Sequence, residues 1–363
     1  MNLPSHIELL RQMIAIPSRS REEDGTAALL YRFLDDAGAR PERFRNNVMA
    51  IAPDFDPSRP TLLLNSHHDT VRPAASYTRD PYSPVIEDGD RLFGLGSNDA
   101  GGSVVALLAT FLAMRGTATG VNLILAITAE EEVGGENGMR AFLPWLREKG
   151  ISPDMAIVGE PTGMLPAVAE RGLVVLDCLT TGVTGHAARG EGINAIYRAM
   201  ADIGRIRNFA PPSVSGVLGP IGINVTQIEA GWQHNAIPDK CKWVTDIRTT
   251  DAYTNEQTVE MVRALMSPHT TVTPRSTRVR ASVIPATHPL VRSASSICGE
   301  PFVSPTTSDM SLMHDIPSLK IGPGQSSRSH SADEYILISE IEDAVEKYRL
   351  IIESLQTLNP SKL

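Results

Sequence analysis

Hydrophobic residues recur along this chain at two spacings, one typical of amphipathic helices and one of buried strands. Two stretches with the spacing of a capping box, Ser5-x-x-Glu8 and Ser20-x-x-Glu23, precede apolar residues at helical intervals and predict two helices near the start. Gly38 is expected to end the second helix, and Ser339-x-x-Glu342 to open the last one. Aliphatic runs predict strands at 48–52, 61–64, 121–127, 155–158 and 318–321, and helical spacing predicts helices at 103–114 and 138–149.

The pattern changes in the middle of the chain. It predicts a strand at 173–179, a helix at 194–206, strands at 221–230 and 242–249, a helix at 256–266 and a strand at 279–283. This order of elements is typical of a ferredoxin-like α+β domain. We therefore expect one α/β domain formed by residues 1–170 and 283–363, with a second domain, residues 171–282, inserted into it.

Composition narrows the class of protein. The 363 residues are enough for about two domains, and no apolar run reaches the roughly 20 residues that span a bilayer. Residues 1–8 lack the basic and apolar regions of a secretory signal, so we expect a cytoplasmic protein without a membrane partner. A net charge of -9 and the lack of a basic cluster argue against a nucleic-acid partner. Cys178, Cys241 and Cys298 are odd in number and far apart, which favours reduced thiols.

Histidines and carboxylates that could bind a metal or take part in catalysis follow the ends of the apolar runs. His67 and Asp69 follow the run at 61–64, and in an extended segment they share a face while His68 points the other way. That arrangement suits a metal-bound imidazole whose second nitrogen is held by a carboxylate. Other candidates after apolar runs or in glycine-rich loops are Asp99, Glu130, Glu131, Glu132, Glu160 and His330.

Taken singly, each of these candidates has a plainer explanation, such as a surface hydrogen bond or a solvated acidic turn. Together, two imidazoles and several carboxylates form a ligand set for two divalent ions about 3.5–4 Å apart, with one carboxylate shared. Such ligands suit zinc, and cobalt or manganese are the alternatives. The glycine-rich loop from Gly94 to Gly102 lacks the Lys of a phosphate-binding loop, which argues against a phosphate site.

With these motifs, the whole chain resembles the dinuclear-zinc peptidases and deacylases, a family that includes acetylornithine deacetylase, succinyl-diaminopimelate desuccinylase, aminoacylase and glutamate carboxypeptidase. The resemblance implies a central mixed sheet flanked by helices, of the zinc-exopeptidase type, with the ferredoxin-like insertion serving as a dimerisation or lid domain. It also implies a cis peptide bond after Asp99. The implied roles are His67 and Glu160 on the first metal, Glu132 and His330 on the second, Asp99 bridging both, Asp69 orienting His67, and Glu131 as general base.

The same resemblance implies roles in the inserted domain. His186 matches a histidine that stabilises the oxyanion, commonly in the partner subunit's site, and this implies a homodimer. Asn235 and Arg248 match substrate-binding positions, and a guanidinium suits a free carboxylate. The plainer alternatives are a locally bonded loop histidine for His186 and a salt bridge to Asp246 for Arg248.

The expected substrate is a small N-acyl amino acid. At the position of Glu160, the family's deacylases and carboxypeptidases usually have Glu, whereas its aminopeptidases and dipeptidases usually have Asp. The stretches 319–324 and 329–335 are most similar to the acetylornithine deacetylases, which implies hydrolysis of N2-acetyl-L-ornithine in arginine biosynthesis. The alternatives are an N-succinyl amino-acid desuccinylase, a carboxypeptidase or dipeptidase, and a non-enzymatic metal-binding regulatory protein. A serine hydrolase is disfavoured because the chain has no Gly-x-Ser-x-Gly elbow.

Overall fold

The computed structural model describes residues 5–117 and 120–355. They divide into two compact units, the first formed by the described residues up to Val168, Ile284–Ser304 and the described residues from Ser308 onward, and the second by Ala169–Val283 with Pro305–Thr307. Residues 1–4, part of the stretch tested above for a secretory signal, lie outside the described residues.

The helices lie close to the ranges that the apolar spacing predicts, with one addition at 289–298. They are α1 (His6–Ile14), α2 (Asp24–Asp36), α3 (Gly102–Met114), α4 (Met139–Glu148), α5 (Ala195–Arg207), α6 (Asn255–Leu265), α7 (Pro289–Cys298) and α8 (Ile338–Ser354).

Each of the five aliphatic runs predicted in the first domain overlaps an observed strand. They are β1 (Glu42–Phe44), β2 (Asn47–Ile51), β3 (Thr61–His67), β4 (Val85–Glu87), β5 (Arg91–Phe93), β6 (Asn122–Thr128), β7 (Met155–Val158), β8 (Ala167–Glu170), β9 (Gly172–Thr181), β10 (Gly185–His186), β11 (Gly222–Ala230), β12 (Ala236–Ile237), β13 (Lys240–Thr249), β14 (Thr270–Pro274), β15 (Ser282–Val283), β16 (Phe302–Ser304), β17 (Ser318–Lys320) and β18 (Tyr335–Leu337).

The first unit is built on a mixed sheet, in agreement with the predicted fold class. Its strands run in the order β1-β2-β6-β3-β7-β17-β8, and β16 pairs with β8. The four central strands β6, β3, β7 and β17 are parallel to one another, whereas β2 and β8 on either side of them are antiparallel. His67 is level with Thr128, Asn65 with Val158, and Val158 with Lys320, so the carboxyl ends of these strands lie along one edge. This edge is where α/β sheets place ligands.

Helices cover both faces of this sheet. Leu62 and Leu64 belong to a core shared with α1, α2, α3, α7 and α8, whereas Leu63, between them, packs in a second core with Phe142 and Leu146 of α4. The alternation follows from the strand period of two, and both faces are apolar because both are covered. Among the described residues, the helical stretch Ser97–Met114 is apolar and long enough to cross a membrane, but 78% of it is buried inside the protein.

Two predicted caps in the first unit are wrong, although the helices exist. Glu23 rather than Ser20 precedes α2, because the Ser20 hydroxyl donates to Asp69 at 2.7 Å instead. Ser339 lies inside α8, and its N–H and hydroxyl donate hydrogen bonds to the Asp90 carboxylate. The N-terminus of α8 is instead capped by Glu340, whose carboxylate accepts from the N–H of Leu337. Gly38 does follow α2, with a positive φ of 70° that suits glycine.

The second unit contains a four-stranded antiparallel sheet in the order β11-β13-β9-β14, with α5 and α6 packed against it. In chain order this is the βαββαβ arrangement of a ferredoxin-like fold. The predicted last strand at 279–283 is wrong: β14 fills that place, and only Ser282–Val283 forms a strand, paired with the end of β8. The sequence pattern of β14 is weak because its buried apolar residue, Val272, lies in a run of threonines. Cys178 and Cys241 lie in this unit's core, and all three cysteines are free, as expected.

Candidate metal centre

The imidazole of His67 lies at the meeting point of three carboxylates. Its Nε2 is 3.3 Å from Asp99 Oδ1, 3.7 Å from Glu160 Oε1 and 3.9 Å from Glu131 Oε2. His67 is 2% exposed, at the end of β3, and Glu131 and Glu160 follow the neighbouring strands β6 and β7. The parallel ladder therefore explains why residues distant in sequence meet here.

A second imidazole approaches the same acids from another loop. His330 Nε2 is 3.0 Å from Glu132 Oε2 and 3.6 Å from Asp99 Oδ2. Asp99 therefore directs one carboxylate oxygen toward each histidine. Candidate ligand atoms lie within 4.8 Å of one another in two groups, one of His67, Glu131 and Glu160 and the other of His67, Asp99 and Glu132.

Asp69 joins His67 to the acidic turn after β6. His67 Nδ1 is 3.1 Å from the carbonyl oxygen of Asp69 and 3.4 Å from its Oδ1. A proton on Nδ1 satisfies both contacts and leaves the Nε2 lone pair for a metal. The Asp69 carboxylate also accepts from the backbone N–H of Glu131 at 3.0 Å and of Glu132 at 3.2 Å. Asp69 therefore fixes the imidazole and two of the acids together.

His68 turns away from this cluster, as the strand period predicts. Its Nδ1 is 2.8 Å from the Thr26 hydroxyl and its Nε2 is 2.8 Å from the carbonyl oxygen of Asn46. Burial lowers the pKa of His68 to about 4, so the ring is neutral at pH 7. Its role is to tie β3 to neighbouring segments.

The electrostatics of the cluster favour a cation. Burial raises the pKa of Glu160 to about 8 and that of Glu131 well above its usual value, and neighbouring acids add to both shifts. Burial alone would lower the pKa of His67, but hydrogen bonds to Asp69 and Asp99 outweigh it and raise that pKa well above normal. Positive charge among the acids would remove their mutual repulsion. The residues present therefore fit divalent ions.

The loop that carries Asp99 is irregular. The Asp99–Ala100 peptide bond is cis, as the family resemblance implied. Gly96 has a φ of 74°, and a Cβ on Gly101 would lie 2.4 Å from the carbonyl oxygen of Gly96. Glycine is needed here because the chain folds back on itself before α3 begins.

In the second unit, the structure brings two of the three predicted residues together. His186 on β10 pairs with Ala236 on β12, and the backbone N–H of Ala187 donates to the carbonyl oxygen of Asn235 at 3.0 Å. His186 and Asn235 are both exposed. The third residue, Arg248 on β13, donates to both carboxylate oxygens of Asp246, at 2.8 and 3.2 Å, which is the salt bridge considered as its alternative.

One buried acid near the site was missed. Glu334 is 2% exposed and accepts backbone hydrogen bonds from the loop of Asp99. Burial raises its pKa to about 8, and the charge of Asp99 adds to the shift. The sequence feature that points to it is an acid four residues after a candidate ligand, His330.

The fold and this cluster of imidazoles and acids define a metal-dependent amidohydrolase. The sequence matches the model described as Peptidase family M20/M25/M40 over residues 63–354, and the chain therefore belongs to this family.

Curated relatives carry more than one activity name. The succinyl-diaminopimelate desuccinylase of Paracoccus denitrificans is 30% identical over 276 residues, 72% of this chain and 72% of the relative. The acetylornithine deacetylase of Edwardsiella ictaluri is 28% identical over 365 residues, 92% of this chain and 93% of the relative. Both are similar to this chain beyond the motifs at the site.

A solved structure supports the fold. The YXEP protein of Bacillus subtilis, described as a dinuclear metal binding peptidase from the M20 family, superposes with a TM-score of 0.72. The match covers 97% of this chain and 98% of that one, at 14% sequence identity. The shared fold therefore extends over nearly the whole chain.

Proposed function

We propose that this enzyme hydrolyses the amide bond of an N-acyl amino acid, with N2-acetyl-L-ornithine as the substrate and L-ornithine and acetate as products. The observation that carries the proposal is the convergence of two histidines and four carboxylates, with Asp99 between the histidines. The acetylornithine deacetylase that covers 92% of the chain supports the choice of substrate. The reaction would belong to arginine biosynthesis in the cytoplasm.

Two divalent ions would be held by this cluster. His67 and Glu160 would hold the first, Glu132 and His330 the second, and Asp99 both, since its two oxygens are directed to different histidines. Imidazole and carboxylate donors suit zinc, with cobalt or manganese as alternatives. When bound, such ions acidify a water molecule and polarise the substrate carbonyl.

The protein's own groups would move the proton. Glu131 is the acid of the cluster given no ligand role, and its Oε2 lies 3.9 Å from His67 Nε2, at the edge of the proposed metal site. Its carboxylate would take the proton from the attacking water and deliver it to the amine nitrogen as the carbon–nitrogen bond breaks. Asp69 would keep Glu131 in place through the backbone bond described above.

The second unit would supply groups that recognise the substrate. His186 Nδ1 accepts from the backbone N–H of Ala188 at 3.2 Å, so a neutral ring carries its proton on Nε2. That N–H would donate to the oxyanion that develops on the carbonyl oxygen. Asn235, beside His186, would bind the same end of the substrate. Arg248 would bind the free carboxylate after leaving Asp246.

We propose a homodimer formed through the second unit. Its edge strand β11 and helix α5 expose large apolar side chains: Ile228 is 55% exposed, Met200 59% and Tyr197 71%. An edge strand has unpaired backbone groups that another chain can pair with. A second copy of this chain would cover both features.

A second candidate substrate is N-succinyl-diaminopimelate, because the relative from Paracoccus denitrificans is named for its desuccinylation. The test is a panel of N2-acetyl-L-ornithine, N-succinyl-diaminopimelate, other N-acetyl amino acids and dipeptides, with release of the free amine measured for each. We expect the highest kcat/KM on N2-acetyl-L-ornithine. A higher kcat/KM on the succinyl compound or a dipeptide would overturn that assignment, and no hydrolysis of any of them would overturn the function.

A further inference from the structure

The carboxylate of Glu334 is a buried acceptor for the loop that carries Asp99. Its Oε1 accepts from the backbone N–H of Asn98 and of Asp99, each at 2.9 Å, and its Oε2 from that of Gly96 at 3.1 Å. Gly96 precedes a short π-helical turn, Ser97–Gly101, and the N–H groups of Gly96, Asn98 and Asp99 come too early in it to find a carbonyl partner within the turn. The side chain of Glu334 therefore accepts hydrogen bonds from three backbone N–H groups of this loop, including that of Asp99 itself.

The same residue lies on the loop that carries His330. The carbonyl oxygen of Glu334 accepts from the N–H of Gly94 at 3.0 Å, so its backbone and side chain both bind the Asp99 loop. The two loops therefore meet through the backbone and the side chain of one residue.

Asn98 adds a second connection between these loops. Its Oδ1 accepts from the N–H of Gln325 at 2.9 Å, and its Nδ2 donates to the carbonyl oxygen of Gln325 at 3.1 Å. Nδ2 is also 3.3 Å from the hydroxyl of Ser329, the residue before His330. The loop of Asp99 is therefore joined to the loop of His330 both before His330, at Gln325 and Ser329, and after it, at Glu334.

We propose that Glu334 is a positioning residue that sets the place of Asp99 between His67 and His330. This inference rests on the proposed function, since it concerns the acid proposed to be shared by both ions. Without the Glu334 acceptor, three buried N–H groups would lose their partner and the loop would have to move. The Asp99 oxygens would then no longer be held in line with both histidines.

The variant that tests this is Glu334→Gln, which keeps the shape but places an NH2 group against one of the N–H donors. We expect it to weaken the binding of Co²⁺ or Zn²⁺ by roughly 10- to 100-fold, as loss of groups that orient ligands does. We also expect a changed visible absorption spectrum of the Co²⁺ form and a lower kcat with KM within about twofold, since the substrate is not touched.

Asp333→Asn is the matched control. Asp333 is the adjacent residue and accepts from the backbone N–H of Thr78 and Arg79, each at 3.0 Å, but it makes no hydrogen bond to the Asp99 loop. We expect its metal affinity, Co²⁺ spectrum and kcat to match the wild type. Equal losses in both variants would show a general effect of disturbing this segment and would overturn the proposal.

The results of these experiments distinguish a failure of the role proposed for Glu334 from a failure of the proposed function. A wild-type chain that binds no divalent ion would overturn the proposed function. A wild type that binds two ions, with a Glu334→Gln variant of equal affinity and spectrum, would overturn only the role of Glu334. If that variant does not fold, amide hydrogen exchange on the metal-free wild type decides: we expect slow exchange at Gly96, Asn98 and Asp99, and exchange at the rate of an open loop would contradict the proposal.

Discussion

The backbone N–H of Glu131 donates to Asp69 Oδ1 at 3.0 Å. Asp69 therefore holds the proposed base as well as the imidazole of His67, and one buried carboxylate links the end of β3 to the turn after β6. A role in orienting His67 alone would account for only part of its contacts.

Replacing Asp69 by Asn should therefore disturb metal binding and proton transfer together. The amide keeps the size but turns one acceptor into a donor, which cannot satisfy all the N–H and O–H groups now facing it. We expect metal affinity to fall roughly 10- to 100-fold, with a further fall in kcat at saturating metal. Chelator competition and steady-state kinetics measure the two effects.

Asp154→Asn is the control for this change. Asp154 Oδ2 accepts from the N–H of Thr61 at 2.7 Å, at the opposite end of the same strand. Its loss should lower stability without changing metal affinity. A metal affinity of Asp69→Asn as high as that of the control would contradict the role given to Asp69.

Replacing Glu131 by Gln should separate metal binding from catalysis. The ligands proposed for both ions remain, so metal content should stay near that of the wild type, while kcat falls roughly 10²- to 10⁴-fold through loss of the base. Metal analysis and the initial rate of N2-acetyl-L-ornithine hydrolysis measure the two quantities. Retained turnover would exclude Glu131 as the base.

Glu130 offers a neighbouring control for the base. It belongs to the same run of three acids, but its carboxylate accepts from the backbone and side-chain amide of Asn137 instead of facing His67. Glu130→Gln should therefore leave kcat within about threefold of the wild type, since it removes no proposed catalytic group.

A mixed dimer tests His186 and the homodimer together. We expect His186→Ala alone to lower kcat roughly 10²- to 10³-fold, because an oxyanion donor is lost. A dimer of one His186→Ala chain and one Glu131→Gln chain, purified through two different tags, should recover about half the wild-type rate, since one of its two sites would have both residues. A mixed dimer no more active than either parent would show that His186 does not act across the interface.

Much of the fold followed from hydrophobic spacing, because burial on both faces of a sheet leaves continuous aliphatic runs. Met155–Val158 is a strand with the predicted bounds, and the runs before His67 and Glu131 end at the sheet edge that positions both. The strand at Thr270–Pro274 was misplaced because its pairing with β9 depends on distant partners and its alternation is mostly threonine.

The sequence predicted which side chains gather in this cluster, but not the contacts that orient them. Ser20 had the spacing of a helix cap, and nothing local indicates that its hydroxyl reaches Asp69 across 49 positions of sequence. Glu334 likewise accepts from N–H groups more than 230 residues away. Hydrogen bonds between distant loops leave no periodic signal, whereas the ends of apolar strands do.

The central claim is that these acids and imidazoles bind two divalent ions that the hydrolysis requires. The most direct measurement is metal analysis of the purified protein, followed by assay of N2-acetyl-L-ornithine hydrolysis before and after chelation and after adding back zinc or cobalt. We predict two ions per chain, loss of hydrolysis on chelation and recovery with metal. Full hydrolysis by the metal-free protein would contradict the account.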